Sequence, residues 1–155
     1  MKAITLWPEW AWAIINLGKN VENRSWAIPP GLYALHAGSR FSGKGQSLRH
    51  KQYAVDVLLH NARSESLTEE QTDRLYKLKP DDIPFSSIVG MIRVTGHTHP
   101  ENMTVRIGWY DGNAIANHVE LVSVLPTPIK CKGALGLWTV PTNIQHTMES
   151  QCPAR

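Results

Sequence analysis

The chain reads as an α+β domain, a small and strongly curved sheet or barrel flanked by helices. Three observations predict this. The strand-like runs are short and alternate with helical or turn segments, and the chain opens in a β-α-β-turn-β pattern. One apolar run, Ser87 to Thr95, has the length and composition of a central strand. With 155 residues the chain fits a single domain that can bury a sizeable core without metal or disulfide staples.

Residues 2 to 6 (Lys-Ala-Ile-Thr-Leu) make the first strand. Pro8 suits the first turn of a helix, where a missing N–H costs nothing. Trp10, Ala13, Ile14 and Leu17 recur at helical spacing, and Gly18 is a natural stop. Residues 21 to 26 follow as a second strand, whose alternation places Glu22, Arg24 and Trp26 on one face. Pro29-Pro30-Gly31 turns the chain into a third strand, Leu32 to Ala37.

A helical insertion is expected around residues 44–79, with helices over Gln46 to Ala62 and Thr68 to Lys79. Thr68 and Gln71 stand at the spacing of a capping box. After the central strand, Gly96 to Asn102 reads as a loop carrying His97 and His99. Val105 to Tyr110 and Ala114 to Leu125 are expected to add strands, the second long enough to bend. Pro126 to Gly136 is a Pro- and Gly-punctuated loop, and Leu137 to Val140 closes a domain spanning 1–141. The polar, weakly patterned segment 142–155 reads as a flexible tail.

The formal net charge is +3, the isoelectric point about 9.0, and charged residues make up 19% of the chain. This mild positive excess is compatible with a nucleic-acid partner without requiring one, and the composition argues against disorder. Cys131 and Cys152 make no disulfide framework, which points to a reducing, cytoplasmic setting. No run is apolar enough to span a membrane, and the N-terminus lacks the plan of a signal peptide. His97 and His99 have no companion Cys or carboxylate cluster, so neither metal nor cofactor is expected.

The densest chemistry lies between Lys19 and Trp26. Lys19 is either a charged contact for phosphate or, with a lowered pKa, a nucleophile or general base; a nearby Glu22 favours the charged form. Glu22 and Arg24 are either a same-face ion pair or a recognition pair, the carboxylate for a base amino group and the guanidinium for phosphate. Trp26 is a stacking platform or a core residue. His36 is an acid–base group in a pocket or a hydrogen-bonded core histidine. Lys130, Lys132 and Gly133 form a loop able to meet a phosphate through backbone N–H groups, and Ser39 and Arg40 are further candidates for ligand contact.

Several segments then fall into one pattern. Lys19-x-x-Glu22-x-Arg24-Ser25-Trp26 follows the Trp10-Ala11 helix and precedes Gly31-x-Tyr33-x-Leu35-His36-Ala37. Ile88-Val89-Gly90-Met91-Ile92 and Pro128-Ile129-Lys130-Cys131-Lys132-Gly133 come next, before Leu137-Trp138. In this order the segments resemble the ASCH domain family over roughly residues 3 to 140.

The resemblance implies a PUA-like β-barrel whose cleft binds RNA, single-stranded nucleic acid or a modified nucleoside. It also implies an alternative, a metal-independent hydrolase, either an N4-acetylcytidine amidohydrolase or a ribonuclease. Lys19 stands at the place of the amidohydrolase lysine, so Lys19 and Glu22 are the catalytic candidates. Glu22 itself replaces the threonine of those enzymes, and no counterpart of their distal glutamate is found. Leu17 stands where the family has glycine. These departures favour recognition over hydrolysis.

Overall fold

The computed structural model describes residues 1–153. Among these residues six strands form one sheet: β1 (Lys2–Leu6), β2 (Val21–Arg24), β3 (Gly31–Ala37), β4 (Ser87–Thr98), β5 (Ile115–Lys130) and β6 (Leu137–Thr139). Their order is β2-β5-β4-β3-β1-β6, and the sheet curls into a half-barrel. Only the β1–β3 pair is parallel, as a crossover through a helix requires. Four α-helices among the described residues flank the sheet: α1 (Pro8–Leu17), α2 (Leu48–Ala62), α3 (Glu69–Lys77) and α4 (Thr142–Gln151). None is long and apolar enough to cross a membrane. The α+β class read from the sequence is therefore present.

Local signals place the helices. Pro8 opens α1, and Gly18 closes it at φ 68°, a left-handed conformation that suits glycine. The buried side of α1 carries Ala11, Ala13, Ile14 and Leu17. Ser47 caps α2, and the Thr68–Gln71 capping box forms with both of its hydrogen bonds. One core cluster joins α1 to the sheet through Ile4, Leu6, Leu35 and Ile92. A second joins α1 to the inserted helices through Leu17, Phe41, Leu58 and Leu75.

Curvature comes from the β4–β5 pair, whose register slips at three places. Between the pairs Gly90↔Val124 and Ile88↔Ile129, β4 supplies only Val89 while β5 runs through Leu125, Pro126, Thr127 and Pro128. Such a bulge bends the pair and leaves both prolines where no ladder N–H is needed. A side chain at Gly90 would strike the Ser123 carbonyl, so the close approach requires glycine.

The sheet ends in two margins, β2 and β6. Strand β6 covers β1 only from Lys2 to Ile4. At the next outward-facing acceptor, the Thr5 carbonyl, the guanidinium of Arg24 takes over, its Nη2 donating at 2.6 Å. One side chain thus joins opposite ends of the sheet.

Four expectations need correction. Strand β2 stops at Arg24, and Trp26 packs against the main core instead of continuing the charged face. Val105 to Tyr110 is not a strand. The backbone of Trp109 there turns at φ 63°, its N–H donating to Glu65 Oε1 and its carbonyl accepting from Asn23 Nδ2, each at 2.8 Å. Parts of the two expected loops are strand, since β4 runs through His97 to Thr98 and β5 through Lys130. The segment read as a flexible tail contains α4, with Met148 buried and Ile144 and Cys152 packed beside Ala3, Ile88, Leu125 and Ile129. Residues 154 and 155 of that segment lie outside the described residues.

Candidate functional site

A cleft of about 1020 Å³ opens where the two sheet margins face each other. The end of β1, strand β2, the turn 38–43 and the loop 130–136 supply its walls.

The β2 wall is built around one carboxylate. Glu22 is buried, with its Oε2 3.3 Å from Lys19 Nζ and its Oε1 accepting from Arg24 Nε at 2.9 Å. Lys19 is also buried, donates to the Val21 carbonyl as well, and lies 5.7 Å from the centre of the Trp10 ring. Burial pushes its pKa below the usual lysine value, while Glu22 works in the opposite direction. Lys19 stands behind Glu22 and does not line the cleft. Asn23 is committed too, holding Trp109 through its amide and Asp111 N–H through its carbonyl oxygen.

His36 sits at the floor with both ring nitrogens engaged. Its Nε2 is 2.7 Å from the Cys131 carbonyl and its Nδ1 is 3.1 Å from Thr5 Oγ1. A carbonyl can only accept, so Nε2 carries the proton. Trp138 Nε1 donates to Thr5 Oγ1 at 3.0 Å, and in the neutral ring the threonine hydroxyl donates to the unprotonated Nδ1. Burial lowers the pKa of the ring, which favours this neutral tautomer. The acid–base role considered for His36 is not supported by this arrangement. The histidine anchors the start of the loop at Cys131 instead, whose own N–H donates to Ser86 O at 3.0 Å. Gly133 follows, and a Cβ there would lie 2.5 Å from His36 Cε1.

The loop wall is different. Arg40 and Lys132 line the cleft and are exposed, and among the described residues their side chains make no hydrogen bond or salt bridge. Lys130 also lines it, but donates to the Phe85 carbonyl at 2.9 Å and lies 4.3 Å from the centre of that ring. Ser39 and Gly133 complete the expected ligand-binding set at the cleft. Trp26 is absent from it.

Trp7 takes the aromatic place that the sequence reading gave to Trp26. Its indole is 48% exposed at the cleft, and Gly43, at φ 69°, lies so close that a Cβ would sit 2.9 Å from the ring. The only advance signal was its position between a strand and Pro8, which reads equally well as a helix start. Beneath the same turn Glu9 is fully buried, accepting from the Ser42 hydroxyl through Oε1 while Oε2 has no partner. Burial pushes the Glu9 pKa up.

The cleft can therefore hold an anionic ligand with a flat apolar part. Glu22 is held by two cations and His36 through both ring nitrogens, and burial raises the pKa of the Cys131 thiol. No protein-family model matches the chain, and no curated protein matches it.

Proposed function

We propose that the cleft binds nucleic acid, as RNA or another single strand, or a nucleoside unit of it. The observation that carries this reading is the company Trp7 keeps. Its exposed indole shares the cleft with Arg24, Arg40, Lys130 and Lys132, against one carboxylate among the described residues, Glu22, that two cations already neutralise. A base stacked on an exposed aromatic gains about 1–3 kcal/mol, and neighbouring cations hold the backbone. In this reading the domain is a PUA-like member of the ASCH family, which the order of its sequence motifs supports.

The hydrolase alternative, with Lys19 as nucleophile or base, has less behind it. Lys19 is turned into the protein towards Val21 and Glu22, and water or substrate would have to displace those partners.

Titration with an oligouridylate, followed by quenching of tryptophan fluorescence, tests the binding reading. Trp7→Ala is expected to weaken binding about tenfold or more. Lys132→Ala is expected to weaken it and to reduce the salt slope by roughly one counterion. Unchanged affinity and slope in both variants would overturn the proposal. Release of cytidine from N4-acetylcytidine, lost in Lys19→Ala, would instead establish the hydrolase.

A further inference from the structure

We propose that the loop from Lys132 to Gly136 is a phosphate subsite, so that the cleft takes a phosphorylated nucleotide in preference to the bare nucleoside. This deepens the nucleic-acid reading and rests on it for the identity of the base-bearing part. Three observations converge on the loop.

The first is an unused row of donors. Residues Lys132, Gly133, Ala134, Leu135 and Gly136 all line the cleft, and none is proline. Among the described residues, none of their five N–H groups has an acceptor in the chain. Successive free backbone donors in an irregular loop form a concavity suited to an anion. Gly136 adds a left-handed turn at φ 66°, which bends the segment back towards β6.

The second is charge. Lys132 and Arg40 bring two uncommitted cations to the same cleft. The one carboxylate present, Glu22, has each oxygen held by a cation, so it offers little repulsion to an incoming phosphate. His36 is neutral in its bonding, and contributes nothing to the balance.

The third is preorganisation. The Cys131 carbonyl is held by His36 and its N–H is held by Ser86, so the loop leaves from a point fixed on both sides. Gly133 lies against Thr5 and His36 with no room for a side chain, which brings its backbone to the cleft floor. Donors fixed before binding cost little ordering entropy when the anion arrives. Thr5 and Trp7 are two residues apart, no more than about 7 Å of extended chain. The base platform Trp7 and the loop therefore share one cleft, with the base to sit on Trp7 and the phosphate on the loop.

The test compares uridine, uridine 5′-monophosphate, inorganic phosphate and an oligouridylate by calorimetry and by amide chemical shifts of labelled protein. Expected are at least tenfold tighter binding of the monophosphate than of uridine, and amide shifts concentrated in residues 132–136 with both the monophosphate and inorganic phosphate. Lys132→Gln should cut the advantage of the monophosphate over uridine severalfold. Equal affinity for uridine and its monophosphate, with the oligonucleotide still bound, overturns the subsite and leaves the nucleic-acid reading standing. Phosphate shifts in 132–136 without any oligonucleotide binding keep an anion site and overturn the nucleic-acid reading. Silence with all four probes overturns both.

Discussion

The two walls of the cleft carry similar residue types and treat them in opposite ways. On the β2 side Lys19, Glu22, Asn23 and Arg24 spend their polar groups on one another and on the backbone. On the loop side the charged groups of Arg40 and Lys132 and a run of backbone donors find no partner among the described residues. A satisfied network fixes geometry, and an unsatisfied one waits for a partner. The conspicuous charged motif is thus the frame of the site, and the plainer loop is its working surface.

This contrast can be broken from either side, and the largest effect should come from the frame. Glu22→Ala leaves a buried ammonium and a half-buried guanidinium facing each other, and should cost about 3 kcal/mol. Urea denaturation checks it; a loss below about 1 kcal/mol would mean the network is effectively solvated. Gly133→Ala should cost about 2 kcal/mol, because the methyl meets His36 and Thr5 in a floor that has no slack.

A smaller effect follows acidification. Burial depresses the His36 pKa, so the unfolded chain takes up a proton near pH 6.5 that the folded chain refuses. The His36 contribution to stability is complete above that pH and falls as the pH drops from there towards the lower folded pKa. Its slope can reach at most about 1.4 kcal/mol per pH unit. Thermal melts between pH 7 and 5 should show this slope, and His36→Gln should remove it; identical profiles would mean the ring is not held neutral. The smallest effect belongs to the working surface. Arg40→Ala and Lys132→Ala should each move stability by less than about 0.5 kcal/mol while weakening oligonucleotide binding. A larger stability loss would mean that the loop wall, too, is frame.

What could be read in advance was local. Pro8, Gly18 and the Thr68–Gln71 pair announce helix ends because caps act within a few residues. Ile88 to Ile92 announces a buried strand by composition alone. The fate of a side chain is not local. His36 finds its acceptor 95 residues away at Cys131, and Arg24 finds Thr5 across a gap created only when the sheet curls.

Trp26 and Trp7 exchanged roles for the same reason. Alternation puts Trp26 on the charged face only if the strand continues, and it stops two residues earlier, at Arg24. Helix α4 was missed because Ile144 and Met148 are too few to make a periodic stripe. Their partners are Leu125, the last residue of an expected strand, and Ile129, in the part of β5 that Pro126 and Pro128 had marked as loop.

The bond from Arg24 to the Thr5 carbonyl also bears on how copies of the protein behave towards each other. A strand margin with free carbonyls invites the edge of a second chain, and this margin becomes bare where β6 runs out. The guanidinium occupies the first acceptor beyond that point and sets a positive charge beside it. A residue that reads as a ligand contact therefore also stands guard at a sheet margin, and its loss is expected to raise self-association in concentrated solution.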